Sequence, residues 1–344
     1  MSQNPNVTIV LPVYNVEPYL RQCLDSVVNQ TMREIQIICV NDGSTDGSPA
    51  ILEEYAAKDP RIMVIHQENQ GAGSARNAAF SHIQGKYTYF VDPDDWIELQ
   101  LCEKLFKFAE EKQADIVYLG FRLFKQDGSI KRFRRVRCVS DDKSLTLDER
   151  KKRFLYINAT IRKFWNSDFL LSRQITFAPG KRSFNDNLQN WKGVVHAQRI
   201  EVFNEILYCV RTHSGSLQNN KDRSGKLNVF RVYDEIREFL IQSGCHDQYK
   251  DVFHDYMSWM YFKIYVKCPL KVRKQMFEWA LEKFDEDLNG FCQKSSFFNG
   301  RLFFLRAVFA KKMNHQLLYF LFSTLLLTCI SYSQIRKTMG LFIE

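Results

Sequence analysis

The chain has 344 residues, 45% hydrophobic and 25% charged, a balance that excludes a disordered, collagen-like or wholly membrane-embedded polypeptide. At roughly 150 residues per domain this length accommodates two domains, or one large domain with a C-terminal appendage. The net charge of +9 is unevenly placed, because residues 1–120 hold 9 Lys/Arg against 17 Asp/Glu while residues 121–344 hold 39 against 22, giving an acidic front and a basic back. Nine Cys, an odd number without a CxxC pair or metal-ligand spacing, point to reduced thiols. The opening MSQNPNVTIVLPVYN has no basic stretch followed by a long apolar run, so no signal peptide is expected and the expected location is cytoplasmic.

From residue 7 short apolar runs alternate with amphipathic stretches of 10–15 residues, the pattern of βα units on a mostly parallel sheet. Strands are predicted near 7–13, 35–41, 62–66, 87–91 and 115–119, with helices near 17–29, 48–58, 72–84 and 98–112 and Gly85 as a helix C-cap. Ligands of such sheets bind outside the carboxyl ends of the strands, and four of those ends carry polar clusters.

The first, Leu11-Pro12-Val13-Tyr14-Asn15-Val16-Glu17, offers an aromatic ring that either lies against a base or packs as an ordinary core residue. The second, Asn41-Asp42-Gly43-Ser44-Thr45-Asp46-Gly47, places a carboxylate able to accept from a base or ribose beside a glycine that allows close backbone approach. A plain turn explains it equally well. The third, Asn69-Gln70-Gly71-Ala72-Gly73-Ser74-Ala75-Arg76-Asn77, opens a helix with glycines and an Arg, a phosphate-binding pattern that lacks the full GxGxxG. The fourth, Asp92-Pro93-Asp94-Asp95-Trp96, crowds three carboxylates into four residues. Such repulsion calls for a cation, and a hard divalent ion is the economical one; an acidic helix cap is the alternative.

Beyond residue 120, the segment Phe121 to Arg137 alternates about Asp127-Gly128 and reads as a basic hairpin, and residues 121–182 carry 17 basic against 6 acidic side chains. The pattern is mostly helical from about residue 228. In the tail, basic and aromatic residues from Phe297 precede 23 residues, Met313 to Ile335, without Asp, Glu, Lys or Arg. Polar residues dilute that run, so a helix lying in an anionic membrane surface fits better than a spanning one. A buried helical hairpin or a contact in a homo-oligomer is the alternative.

The ordered set Pro12-Val13-Tyr14-Asn15, Gln30-Thr31, Val40 to Asp46, Gln67 to Gly73, Ala75-Arg76-Asn77 and Phe90 to Trp96 resembles glycosyltransferase family 2 over about residues 5–120. The resemblance implies an α/β GT-A (Rossmann-like) fold, a mostly parallel sheet flanked by helices with a helical basic C-terminal region. It also implies a UDP-sugar donor, a divalent metal (Mn or Mg) and transfer with inversion. On this reading residues 1–120 bind the nucleotide sugar, 121–225 form the acceptor side, and 226–344 form the helical, membrane-associating region. Tyr14 and Asp42 would hold the uracil, with Pro12, Glu17 and Gly43 nearby and Arg76 close to the nucleotide. Asp92 and Asp94 would form the DxD pair, Asp94 the direct metal ligand. Pro93 stands where the family commonly has Ser and removes one backbone N–H.

The family's acidic catalytic pair corresponds to Asn185-Asp186, which leaves Asp186 as the expected base toward an acceptor hydroxyl. The stretch Tyr208 to Ser216 resembles the family's Arg/His-Gly-Ser stretch, so Arg211 or His213 is expected on the diphosphate or the metal. Gln189-Asn190-Trp191 is not the QxxRW element of processive synthases. The expected activity is thus addition of one sugar to a lipid-linked or surface-polysaccharide acceptor at the cytoplasmic face of the membrane. A nucleotide-binding scaffold is the alternative, hinted at by Pro93 and Asn185. No nucleic-acid module accompanies the basic run, so no nucleic-acid partner is expected.

Overall fold

The computed structural model describes residues 4–125, 127–136, 145–180, 184–213, 229–265 and 275. The chain divides into two compact units, Met1–Asn220 and Lys221–Ile343.

The first unit is built on a nine-stranded sheet: β1 (Val7–Val13), β2 (Ile35–Asp42), β3 (Ile62–Gln67), β4 (Tyr87–Phe90), β5 (Trp96–Ile97), β6 (Ile116–Phe124), β7 (Ile130–Arg134), β8 (Lys163–Asn166) and β9 (Ile200–Arg211). Their order is β3-β2-β1-β4-β8-β6-β9-β5, with β7 paired to β6. β1 to β4 are mutually parallel, and β8 runs antiparallel to both β4 and β6, which restores β6 and its parallel neighbour β9 to the direction of β1. The carboxyl ends of six strands therefore meet at one end of the sheet.

Every residue of β1 and β2 is buried, as expected of central parallel strands covered on both faces. At their amino ends two polar side chains are satisfied within the sheet, Thr8 Oγ1 donating to Gln36 Oε1 at 2.7 Å and Gln36 Nε2 to the His82 carbonyl at 2.8 Å. Pro12 is tolerated in a central strand because the β1–β4 ladder ends at Val10, so the N–H it lacks would point past the last rung.

Helices α1 (Glu17–Val28), α2 (Ser48–Lys58), α3 (Ala72–Ala78), α4 (Leu101–Lys112), α5 (Leu147–Phe154), α6 (Ser167–Ser172) and α7 (Asn185–His196) complete the unit. A capping box between Thr146 and Glu149 starts α5. The second unit holds α8 (Val229–Gln242) and α9 (His246–Tyr265), where the Tyr233 and Phe253 rings lie 4.9 Å apart.

Three expectations need correction. The helix foreseen over 72–84 stops at Ala78 and is followed by a 3-10 turn at Phe80–His82. Gly85 is no C-cap: its N–H donates to Thr8 Oγ1 at 2.8 Å, and a side chain there would collide with the β1 backbone. The strand foreseen at 115–119 runs on to Phe124. The turn about Asp127 and Gly128 is present. Among the described residues no helix is long and apolar enough to cross a membrane. The tail from Phe297, the end of the hairpin at Arg137 and the Gly215-Ser216 pair lie outside the described residues.

Candidate active site

At the carboxyl end of the sheet, the loops after β1 and β2 are stitched together by side chain to backbone bonds. Asn15, in the left-handed region at φ 49°, accepts the Thr45 N–H at 2.8 Å. The Glu17 N–H donates to Asp46 Oδ2 at 3.0 Å, while Glu17 Oε2 accepts the Gly47 N–H at 2.7 Å. The stitching leaves Tyr14 46% exposed at the sheet edge. Asp42 is buried and holds the next loop: it accepts from Gln67 Nε2 at 2.7 Å and from the N–H groups of Gln70 and Gly71 at 2.7 and 2.8 Å. Gly43, at φ 71°, sits where a Cβ would come 2.7 Å from the Asn69 nitrogen.

The acidic turn Asp92–Asp95 is fixed from β9. The Tyr208 hydroxyl accepts the Asp92 N–H and donates to Asp95 Oδ2, both at 3.0 Å, and Asp95 Oδ1 accepts the Arg211 N–H at 2.8 Å. Helix α4 begins only at Leu101, after Gln100, so Asp94 and Asp95 do not cap it. The Arg211 guanidinium lies 5.1 Å from the Tyr19 ring centre and 4.9 Å from that of Trp96. Its Nε donates to the Asp94 carbonyl at 3.0 Å and Nη2 to Gln22. Arg211 thus braces the turn from beneath. His213 packs on Tyr19 and brings Nε2 to 2.9 Å from Asp94 Oδ2.

Arg76, only 7% exposed, reaches Asp92 Oδ1 at 2.6 Å from Nη2 and stacks over Phe177 at 5.2 Å. Its buried Nε has no acceptor among the described residues. Asp186 stands half-buried in the first turn of α7, near enough that its charge helps push the Asp92 carboxyl upward. Burial is the largest cause of that rise and Asp94 also contributes, while Arg76 opposes it. Burial likewise pushes Asp95 well above the usual carboxylate range, reinforced by Asp94 and Asp92.

Helix α3 and the segment before α7 are locked together. Asn77 donates to the Phe177 carbonyl and accepts the Phe177 N–H, both at 2.9 Å, and Ser74 Oγ accepts the Gly180 N–H at 2.9 Å. A side chain on Gly73 would overlap the Ala178 carbonyl oxygen. The Gly- and Ser-rich stretch read as phosphate-binding is therefore also a docking face for the segment that carries Asp186. On the same side of the sheet the wholly buried Lys163 donates to the Asn158 and Ala159 carbonyls at 2.6 and 3.3 Å. Burial pulls its ammonium down to about 7, with Asp186 opposing the fall.

Sequence reasoning passed over Tyr208 as a support of the turn, Asn77 and Ser74 as anchors, and Lys163. Of these only Asn77 and Ser74 had a signal, their place beside two glycines at a helix start.

The residues at the turn fit a divalent ion. Asp94 and His213, hydrogen-bonded to each other beside Asp92, are a carboxylate and an imidazole that would exchange this bond for an ion. Among the described residues no three His, Cys, Asp or Glu side chains form a closed cage, so an ion here would complete its shell with substrate phosphate and water.

The family model for glycosyl transferase family 2 matches residues 8–184. The chain is 36% identical over 228 residues to glycosyltransferase GlyA of Streptococcus pneumoniae serotype 4, covering 63% of this chain and 32% of GlyA. This chain thus spans about a third of GlyA's length. It is 31% identical over 253 residues to TuaG of Bacillus subtilis, a putative teichuronic acid biosynthesis glycosyltransferase, covering 71% of this chain and 94% of TuaG. Among solved structures, S. aureus TarS 1-349 in complex with UDP shares the fold, with a TM-score of 0.68 at 20% identity over 93% of this chain and 91% of that one.

Proposed function

Because the chain belongs to glycosyl transferase family 2, we propose that it transfers a sugar from a UDP-sugar, with inversion, to a hydroxyl of a cell-surface polysaccharide or its lipid-linked precursor at the cytoplasmic face of the membrane. The observation that carries this reading is the braced turn, where Asp92, Asp94 and His213 gather beside Arg76 with Asp186 near enough to be felt. The UDP complex of TarS and the polymer named for TuaG support the choice of donor and acceptor.

The exposed Tyr14 ring lies against the uracil, and Asp42, by holding the loop at Gln70 and Gly71, shapes the other wall of the base site. Arg76, paired with Asp92, stands close to the nucleotide. Asp94 and His213 would hold Mn2+ or Mg2+, which would supply positive charge to the departing diphosphate. Asp186 accepts the proton of the acceptor hydroxyl as its oxygen bonds the anomeric carbon and the bond from that carbon to UDP oxygen breaks. Arg211 and Tyr208 position the acidic turn.

A donor screen that measures UDP release with Mn2+ and a lipid-linked acceptor tests the scheme. Turnover with at least one UDP-sugar is expected, with D186N lowering kcat by about 100-fold or more while UDP binding persists. UDP binding without turnover on any donor would overturn it in favour of a nucleotide-binding scaffold.

A further inference from the structure

The β6–β7 hairpin is unexplained by the transfer reaction. Its turn closes through Lys125 N–H to the Ser129 carbonyl at 2.8 Å and Gly128 N–H to the Lys125 carbonyl at 3.0 Å. Asp127, the only acid among residues 121–136, is held at the turn by the Ser129 N–H and hydroxyl, whereas the same stretch carries six Lys and Arg. Lys125, Lys131 and Arg135 are exposed. So are two large apolar side chains, Phe133 at 54% and Ile130 at 46%. Among the described residues β7 pairs with β6 alone.

Phe133 pairs with Arg122 and Ile130 with Phe124, because the ladder slips by one residue between them, so the two side chains project from one face of the hairpin. That face presents both to solvent near the tip of the hairpin. The hairpin adjoins the site through β6: the Phe124 carbonyl accepts the Thr212 N–H at 3.0 Å, and the Phe124 ring lies 4.7 Å from Trp96, which stacks on Arg211. The hairpin and the acidic turn stand at the same end of the sheet.

We propose that this hairpin is a lipid-contacting element, which enters the interface of an anionic bilayer with this face and its tip. Phe133 and Ile130 sink to the level of the acyl boundary, while Lys125, Lys131 and Arg135 meet headgroup phosphates. At that depth water remains to satisfy the unpaired strand edge, which hydrocarbon would not. A soluble polyanion would recognise the charges but gains nothing from the exposed aliphatic Ile130 beside the ring, so the combination selects a membrane. The consequence is that the site opens at the bilayer surface, where a lipid-borne acceptor presents its hydroxyl.

The test is flotation of the full chain with phosphatidylcholine vesicles with and without phosphatidylglycerol. Binding that requires the anionic lipid is expected. I130S/F133S should weaken it about tenfold, and each charge reversal at Lys131 or Arg135 about fivefold or more. F133W keeps the aromatic and should show a blue-shifted emission component, quenched by bilayer-resident nitroxide lipids. Unchanged partitioning of I130S/F133S, or an F133W emission that ignores the vesicles, would overturn the proposal. So would a dimer dissolved by I130S/F133S with vesicle binding intact, which would assign the face to a second copy. Vesicle binding is read without turnover, so a failed donor screen and a failed hairpin are separate results.

Discussion

The Tyr208 hydroxyl serves two members of the acidic turn at once, accepting the Asp92 N–H and donating its O–H to Asp95 Oδ2. Y208F should orphan both groups at a cost of about 1–3 kcal/mol, read in denaturant melts, and weaken Mn2+ binding in direct titration while leaving UDP binding in metal-free buffer near its original strength. Unaltered metal affinity would remove Tyr208 from the support of the turn. Lys163 makes a different prediction. Its folded pKa of about 7 lies below the ordinary lysine value, so between those two pH values the unfolded chain holds a proton that the folded chain has released. Stability from this group therefore rises with pH over that window, by at most about 1.4 kcal/mol per pH unit. Cys39 and Cys102, both pushed up to about 12 by burial, act in the opposite sense once the unfolded thiols ionise. The observable is the difference between wild type and K163M, whose melts from pH 7 to 9 should lack the lysine's rising contribution. Asp92 and Asp94 were legible in the sequence because adjacent like charges demand a reason. Lys163 was not, since one Lys among 17 basic residues says nothing of burial until β8 turns it inward.

Helix α3 is short because it must end where Asn77 can face Phe177, and its glycine is there because the Ala178 carbonyl occupies the place of a side chain. N77A should break both bonds of that clamp, costing about 1–3 kcal/mol, and G73A should force the two segments apart. If the clamp positions Asp186, N77A lowers kcat more than it raises the KM for the donor. A pure KM effect would show that α3 serves the nucleotide alone. The strands β1 to β3 and the first two helices could be read from apolar runs because each is long enough to show its period, and the four-residue β4 because its run continues into Val91 and ends at the acidic cluster. β5, with two residues, and β8, with four, show none, and they are assigned only by the neighbours that pair with them. Gly85 misled for a related reason: a glycine after a helical pattern suggests a cap, but this one answers to a distant strand that sequence order hides.

Across the whole molecule, the excess of acid before residue 121 coincides with the half that gathers Asp92, Asp94 and Asp95. Relief of that repulsion should register globally. Mn2+ at about 100 times its dissociation constant should add about 2.7 kcal/mol to unfolding, and D94A should abolish the gain. A melting temperature indifferent to Mn2+ in the wild type would count against an ion at this turn. The bracing of the turn also has a consequence in time. The partners that fix Asp92 and Asp95 lie 116 residues further along the chain. At about 5–20 residues per second, a ribosome needs on the order of ten seconds between making the acidic turn and making the strand that braces it. Through that interval the nascent chain carries its carboxylates without Tyr208, Arg211 or His213. The braced turn is thus a late event of biosynthesis, and its assembly certifies that both halves of the sheet have met.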